Sequence, residues 1–506
     1  MLGKKTGVVR RLYGKETRME NYLTYEAFGA VGDGIADDLP AICRAHRAAN
    51  ESGTPVRATP GATYFVGGRN LTAEIRTDTD WTDAVFLVDD RYIEDRGQHI
   101  FAVLPTGAPY SLAISSLKKG QKQLPLAPQT PCFVTVKDEN VRQFIRRGIN
   151  RNQGSPKTDS FVLEKDGTVK NTIVWDFDHI SEAVAYPIDE APLTVTGGTF
   201  RRVANPGVFD PETLSYTNQY QYHNRGILIA RSHTTLRGVT FTVEGEGEHG
   251  APYGGDIQVV RAAYVTVEDC RLTGHKLYWT DRNGGKSPMG TYGISVTQAA
   301  FVTLRRLSQN VDIMDRSRWG VMGSNFGKDL LLEDCVMSRF DAHQGVTGCT
   351  IRRCRLGWQC LNAIGFGTFL IEDSEAFGHS LFNLREDYGS FWCGDLIIRH
   401  CRWIPAHAEG SVIGARNDGT HNFGYPTMMP GRVDIDGLEI DVSAQPTPPT
   451  LTVFPDYEPA DAPAEKPFPY LPTREVTLKN IHRTDGAPVP LFTEPTLYPD
   501  LKILNM

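Results

Sequence analysis

A short aliphatic motif returns along the second half of the chain, and its spacing leaves few folds open. It reads as an aliphatic residue, two mostly polar or small residues, then Cys, Leu, Val, Ile or Ser. The copies are Leu236-Arg-Gly-Val239, Val267-Glu-Asp-Cys270, Leu304-Arg-Arg-Leu307, Leu332-Glu-Asp-Cys335, Ile351-Arg-Arg-Cys354, Ile371-Glu-Asp-Ser374 and Ile398-Arg-His-Cys401. Ile435-Asp-Gly-Leu438 and Leu478-Lys-Asn-Ile481 continue the series. One short strand cannot bury an aliphatic face alone, but equal coils stacked at about 4.8 Å bury it as a continuous ladder. The shortest intervals, 332 to 351 to 371, are about 20 residues, close to one three-sided coil; longer intervals are that coil plus loops. The pattern predicts an all-β solenoid of parallel strands, with Cys270, Cys335, Cys354 and Cys401 stacked inside as free thiols.

A chain of 506 residues would otherwise suggest several domains, but a solenoid grows by adding coils. The sequence divides into a leader (1–20), a cap and first coils with an irregular insertion (21–190), the main coil series (191–443), and a Pro-rich excursion with a last coil (444–506). The stretch 105–160 is poor in coil motifs and is expected as an insertion beside the first turns. The formal charge of −7 argues against nucleic acid or an anionic membrane as partner, because both need a basic face. No apolar run approaches the ~20 residues of a membrane span. The N-terminus lacks the apolar core of a signal peptide, so a cytoplasmic location with reduced cysteines is expected.

Near the N-terminus stands Tyr25-Glu-Ala-Phe-Gly-Ala-Val-Gly-Asp-Gly-Ile-Ala-Asp-Asp38. A helical stretch from about Leu39 to Glu51 follows, with Asp37 or Asp38 as cap and Gly53 as stop, then the strand-like Pro60-Gly-Ala-Thr-Tyr-Phe-Val66. Phe28, Gly29, Ala30, Gly32, Asp33, Gly34, Asp37, Asp38, Pro60, Gly61 and Tyr64 carry the match. The segment resembles the N-terminal signature of the pectate-lyase-like and polygalacturonase-like superfamily of right-handed parallel β-helices. That resemblance implies the fold, a short capping helix and a carbohydrate-linked role, with Asp33, Asp37 and Asp38 building the cap.

Alignment on the repeat exposes a second pattern. Eight or nine residues after each anchor comes a polar side chain: Glu244, His275, Asp312, Asp341, Gln359, His379 and His407. Equal offsets in a solenoid predict one polar column on one face. Long loops leave the same neighbourhood at 244–255, 275–292, 309–319, 384–394 and 415–430, as the walls of a groove would. Trp279, Trp319, Trp358, Trp392 and Trp403, with Tyr253, Tyr278 and Tyr388, offer flat faces for the C–H side of sugars.

Within the column, Phe340-Asp-Ala-His-Gln344 resembles the D-P-H-E/D segment of β-helical mannuronan epimerases through Phe340, Asp341 and His343. Ala342, Gln344 and Ser338 depart from it. In Leu384-Arg-Glu-Asp-Tyr388, Arg385 suits a substrate carboxylate, and Glu386 or Asp387 suits acid–base work; an internal ion network holding the loop is the alternative. His275 and Lys276 beside Asp281 and Arg282, and Asp312 with Asp315, Arg316 and Arg318, add charge of both signs. His249 and Asp256 flank a glycine-rich loop. Two chemistries compete. Glycoside hydrolysis needs two carboxyl groups about 5.5 Å or 6.5–9.5 Å apart, and Asp312 or Asp315 with Asp341 is the expected pair. The N-x-D, D-D and G-H-G motifs of polygalacturonases are missing in order. A lyase or epimerase needs a base, here His343 or a lysine, and a cation such as Arg385 or Arg316 to neutralise a carboxylate. Hydrolysis of an oligosaccharide is the favoured expectation. No cofactor is expected beyond a calcium ion if the reaction is elimination. A non-catalytic, tailspike-like β-helix is the third reading, against which the single returning strand at 475–481 favours a closed monomer.

Overall fold

The computed structural model describes residues 22–505 except 94, 96, 148–152, 206–208, 211, 213–214, 217–221, 248–252, 283–284, 291, 321, 417–418, 448, 459–463 and 469. The leader 1–20 and His249 lie outside the described residues.

The anchors stack as the repeat predicts. Leu236, Val267, Leu304, Leu332, Ile351, Ile371, Ile398, Ile435 and Leu478 are paired in unbroken parallel register from coil to coil. The row reaches back through Val195 and Thr79 to Val56. The result is a right-handed parallel β-helix, its coils joined in one 31-stranded sheet. Cys270, Cys335, Cys354 and Cys401 are buried free thiols inside it. Ser374 holds the equivalent place in the stack, its Oγ accepting from the Cys354 amide at 3.0 Å.

The two middle positions of each repeat have distinct physical jobs. The third position turns the corner with a left-handed backbone: Gly238, Asp269, Arg306, Asp334, Arg353, Asp373, His400, Gly437 and Asn480 all have φ between 48° and 76°. Gly, Asp and Asn recur there because they enter that region at least cost. The second position alternates in charge up the helix: Arg237, Glu268, Arg305, Glu333, Arg352, Glu372, Arg399, Asp436 and Lys479 follow one another in register. Ion pairs close several rungs, with Arg237 Nε 2.7 Å from Glu268 Oε1 and Arg305 Nε 2.9 Å from Glu333 Oε2. A slip of one coil would set like charges face to face, so the ladder reinforces the register that the aliphatic core sets.

The N-terminal end is closed by the helix Leu39–Ser52, stopped at Gly53 with φ 69°. Asp37 Oδ1 accepts from the Leu39 amide at 3.2 Å. Asp38 instead ties back to Val31 N (2.6 Å) and Gly32 N (3.1 Å), locking the glycine-rich signature beneath the helix. Asp33 holds its own turn through the Ile35 and Ala36 amides.

The insertion forms a four-stranded antiparallel sheet of Tyr110–Ser111, Cys132–Gln143, Ser155–Leu163 and Glu182–Pro187, with its own apolar core. It does not sit only beside the first turns. It reaches far along the helix: Lys328 Nζ meets Asp159 Oδ1 at 2.5 Å and the Thr172 carbonyl at 2.6 Å. Trp175 packs on Phe366, and Phe144 on Phe326. At the other end, Glu475–Arg483 stacks on Arg432–Ile440, and Lys502–Asn505 adds a second returning strand where the sequence suggested one. Among the described residues, no helix is long and apolar enough to cross a membrane.

Candidate active site

The site lies on the strand row that precedes the anchor strand of each coil. There an outward row runs in register through Gln258, Ser295, Gly323, Asp341, Asn362, Asn383 and Gly414. In the strand Val336–Ala342, Phe340 and Ala342 point into the core, so the pleat turns Asp341 outward. It opens on a cleft of about 350 Å³ whose walls include Tyr253, Tyr292, Trp319, Arg339, His343 and Arg385. Arg146 enters the same cleft from the insertion.

Asp341 is fully buried and accepts from three side chains: Arg339 Nη2 at 2.8 Å, Arg385 Nη1 at 2.8 Å, and the Tyr292 hydroxyl. Arg385 also forks onto Asp387, Nε to Oδ1 at 3.1 Å and Nη2 to Oδ2 at 2.8 Å. Arg146 Nε reaches the same carboxylate at 2.6 Å. The result is an alternating chain, Arg339–Asp341–Arg385–Asp387–Arg146. Aromatic rings floor it: Arg339 lies 4.6 Å from the Trp319 ring, and Arg385 and Arg146 lie 5.1 and 5.5 Å from that of Tyr388.

Glycines make room for this arrangement. A Cβ on Gly323 would stand 2.7 Å from the Tyr292 ring, which crosses that strand to reach Asp341. One on Gly290 would stand 2.1 Å from Trp319.

The charges set the protonation states. Burial raises the Asp341 carboxyl, but Arg339 and Arg385 outweigh it and hold the group below its ordinary value. Asp387 is likewise pushed up by burial and pulled further down by Arg385 and Arg146. Both carboxylates are therefore ionised. Burial and the adjacent Arg385 push His343 down to about 3, so its ring is neutral. His343 Nδ1 lies 3.2 Å from Asn325 Oδ1. Burial and the Asp341 charge raise the Tyr292 phenol, keeping its proton on.

The sequence-derived column does not survive as one wall. Counting from the anchor carries the offset around a corner, and a register shift between Met337 and Arg339 places Asn362, not Gln359, beside Asp341. Asp341, His343, Arg385 and Trp319 share the cleft, with Tyr388 and Asp387 behind them. Asp312 and Asp315 do not join them. They sit in turns, accepting from Met314 N and Ser317 N, and Arg316 beside them is exposed. The expected carboxylate pair with Asp341 is therefore not assembled. His275 is buried, its Nδ1 2.8 Å from Glu246 and its ring stacked on Tyr253, so it braces the wall from behind. Arg318 and the Lys276 amide bond the same Glu246. Asp256 is buried against Arg202. Glu244 is exposed at a strand end. His379 and Glu386 line a neighbouring cleft, with the His407 ring edge-on to His379 at 5.7 Å. Trp392 and Trp403 are core residues, not sugar platforms, and Trp358 is not in the cleft. The side chains of Tyr278, Trp279, Asp281 and Arg282 lie outside the described residues.

Sequence reasoning missed Tyr292, Arg339, Asn325 and Arg146. Arg339, Asp341 and His343 lie at alternate positions of one stretch, a period-two signal that was legible. Nothing in the sequence links Arg146 to residue 387.

No family model matches the sequence, and no curated protein does. Similar solved structures include the tailspike protein gp49 of Pseudomonas phage LKA1, 13% identical over 93% of this chain and 82% of that one, with a TM-score of 0.50. The Gp54 tailspike of Acinetobacter baumannii bacteriophage AP22, solved with capsular saccharide, is 10% identical over 95% and 79%, with a TM-score of 0.49. The A-module of the mannuronan C-5 epimerase AlgE4 of Azotobacter vinelandii is 12% identical over 94% and 99%, with a TM-score of 0.38. At such identities the likeness is one of fold.

Proposed function

We propose that this β-helix binds an acidic oligosaccharide in the Asp341 cleft and removes the proton beside a uronate carboxylate, leading to elimination or epimerisation. The observation that carries the reading is the ion chain: three guanidiniums against two carboxylates leave one positive charge for a substrate carboxylate to balance. Arginine clamps of this kind stabilise the enolate formed when that proton leaves. His343 supplies the base. Nδ1 faces Asn325 Oδ1, which leaves Nε2 to take the proton, and a uronate carboxylate bound beside Arg385 offsets the charge that pushes the ring down. The Tyr292 hydroxyl, protonated and bonded to Asp341 in the same cleft, would give a proton to the departing glycosidic oxygen or back to the carbon.

Hydrolysis asks for something different: one carboxyl group kept protonated beside one ionised partner. Asp341 and Asp387 are both held ionised by arginines, which argues for the proton-abstraction reading over the hydrolytic one. The cleft residues do not fit a calcium ion, since both carboxylates are already occupied by guanidinium donors; no step runs through a metal. The test is a panel of uronate-containing oligosaccharides, with reducing ends and near-ultraviolet absorbance read together. Elimination raises both signals, epimerisation neither while the sugar's proton spectrum changes; reducing ends without absorbance would refute the proposal.

A further inference from the structure

The outward row that carries Asp341 continues beyond the cleft. It passes Asn362 to Asn383 and Gly414, with Asn383 Nδ2 donating to Asn362 Oδ1 at 2.7 Å. There the wall opens again into a second cleft of about 480 Å³. Three coil steps, about 14 Å at the usual strand spacing, separate Asp341 from Gly414, within the reach of one oligosaccharide. The loop Leu384–Tyr388 divides the two: Arg385 faces the first cleft and its chain neighbour Glu386 the second.

The clefts differ in sign. The first carries one excess guanidinium. The second sets the carboxylates of Glu386, Glu409 and Asp456 against the single guanidinium of Arg416, and among the described residues these four exposed side chains make no ion pair or hydrogen bond. At its floor Gly414 lies directly against Asn383 Oδ1 and Ser380 Oγ, each 2.6 Å from where a Cβ would stand. Beneath it the Ser380 hydroxyl is 1% exposed and makes no hydrogen bond among the described residues. Buried hydroxyls are normally paired. This one stands against Gly414, a residue of the cleft floor, and is the buried polar group nearest to a ligand hydroxyl bound there.

We infer that the second cleft is a subsite for an uncharged or amine-bearing sugar of the same oligosaccharide whose uronate occupies the Asp341 cleft. The inference rests on the uronate reading of that first cleft. Carboxylates, an amide and a hydroxyl satisfy sugar hydroxyl, acetamido or ammonium donors, while a second uronate there meets three carboxylates and one guanidinium. The substrate is then a heteroglycan in which acidic and non-acidic sugars alternate, not a homopolymer of uronate.

Calorimetric titration of the full chain tests this with two probes. Hyaluronan hexasaccharide alternates uronate with N-acetylhexosamine; hexagalacturonate carries a carboxylate on every sugar. The wild type is expected to bind the alternating probe more tightly. The double variant Glu386→Gln/Glu409→Gln, relieved of two repelling charges, should bind hexagalacturonate about tenfold more tightly and hyaluronan no more tightly than the wild type does. If the ratio of the two affinities is unchanged in that variant while both probes still bind, the subsite assignment is overturned and the first cleft stands. If Arg146→Ala leaves both affinities unchanged, the first-cleft reading fails instead. Absence of binding by the wild type overturns both.

Discussion

Replacing Gly323 with alanine should disturb the site through one atom. The strand there has no unusual backbone; the glycine is needed because the Tyr292 ring crosses it, with ring carbons 2.7, 2.8 and 3.0 Å from where a Cβ would stand. Ordinary carbon contacts need about 3.5–4.0 Å, so the ring must move by about 1 Å, enough to break the hydroxyl's bond to Asp341. Overpacking costs about 1–3 kcal/mol, and loss of a bond to a buried charge costs about 1.5–3 kcal/mol. Because the ring relieves the first term by moving, the sum expected from denaturant unfolding is about 2–4 kcal/mol. Tyr292→Phe removes the hydroxyl alone and should cost only the bond term. Tyr292→Ala vacates the space, so adding Gly323→Ala to it should cost little more. The same cycle read as uronate binding should be non-additive too. Equal costs for Gly323→Ala in the wild-type and Tyr292→Ala backgrounds would refute the reasoning, because the clash would then lie elsewhere.

Three further outcomes follow from the geometry. Glu333→Arg puts Arg305, position 333 and Arg352 in one run of like charge, and should lower the unfolding midpoint more than Glu333→Gln, with most of the difference recovered at roughly 1 M salt; a salt-insensitive difference contradicts the charge ladder. His46 is fully buried on the Tyr25 hydroxyl and pushed down to about 3 by burial, so below the unfolded value of about 6.5 only the unfolded chain gains the proton and stability falls by about 1.4 kcal/mol per pH unit. Wild type should therefore lose about 2–3 kcal/mol more than His46→Phe between about pH 6.5 and 4.5; equal losses in urea melts contradict this. Arg146→Ala should weaken uronate binding while leaving the β-helix circular dichroism intact, whereas an unchanged affinity would remove the insertion from the site.

The fold was legible because the repeat carries its own physics. An aliphatic residue every coil, a corner position rich in Gly, Asp and Asn, and a buried thiol are local signals, and each lands where stacking requires. The signature at Gly32–Asp38 was legible for the same reason, its carboxylates closing turns within a few residues of themselves. The site was only partly legible. Asp341 and His343 stood out as the densest cluster of the polar column, and Arg385 and Asp387 as part of the charged run 384–388. Asp312 and Asp315 looked equivalent, yet each satisfies a turn amide two residues on, a local bond that competes with any role across coils. The column failed at the corner, where the neighbouring coil carries two more residues between Leu356 and Cys360 than lie between Met337 and Arg339, so equal offsets from the anchors no longer pair. Arg146 arrives from an antiparallel insertion 241 residues away in sequence from its partner Asp387, and no periodicity announces such a contact.

Removal of a proton from the carbon beside a uronate carboxylate leaves an isotopic trace. Incubating the protein with a uronate-containing oligosaccharide in deuterated water, and weighing both residual substrate and products by mass spectrometry, tests it directly. The account predicts either deuterium at that carbon or an unsaturated product that has lost its hydrogen, and neither with His343→Gln. Chain cleavage that yields saturated products without deuterium, undiminished in His343→Gln, contradicts it.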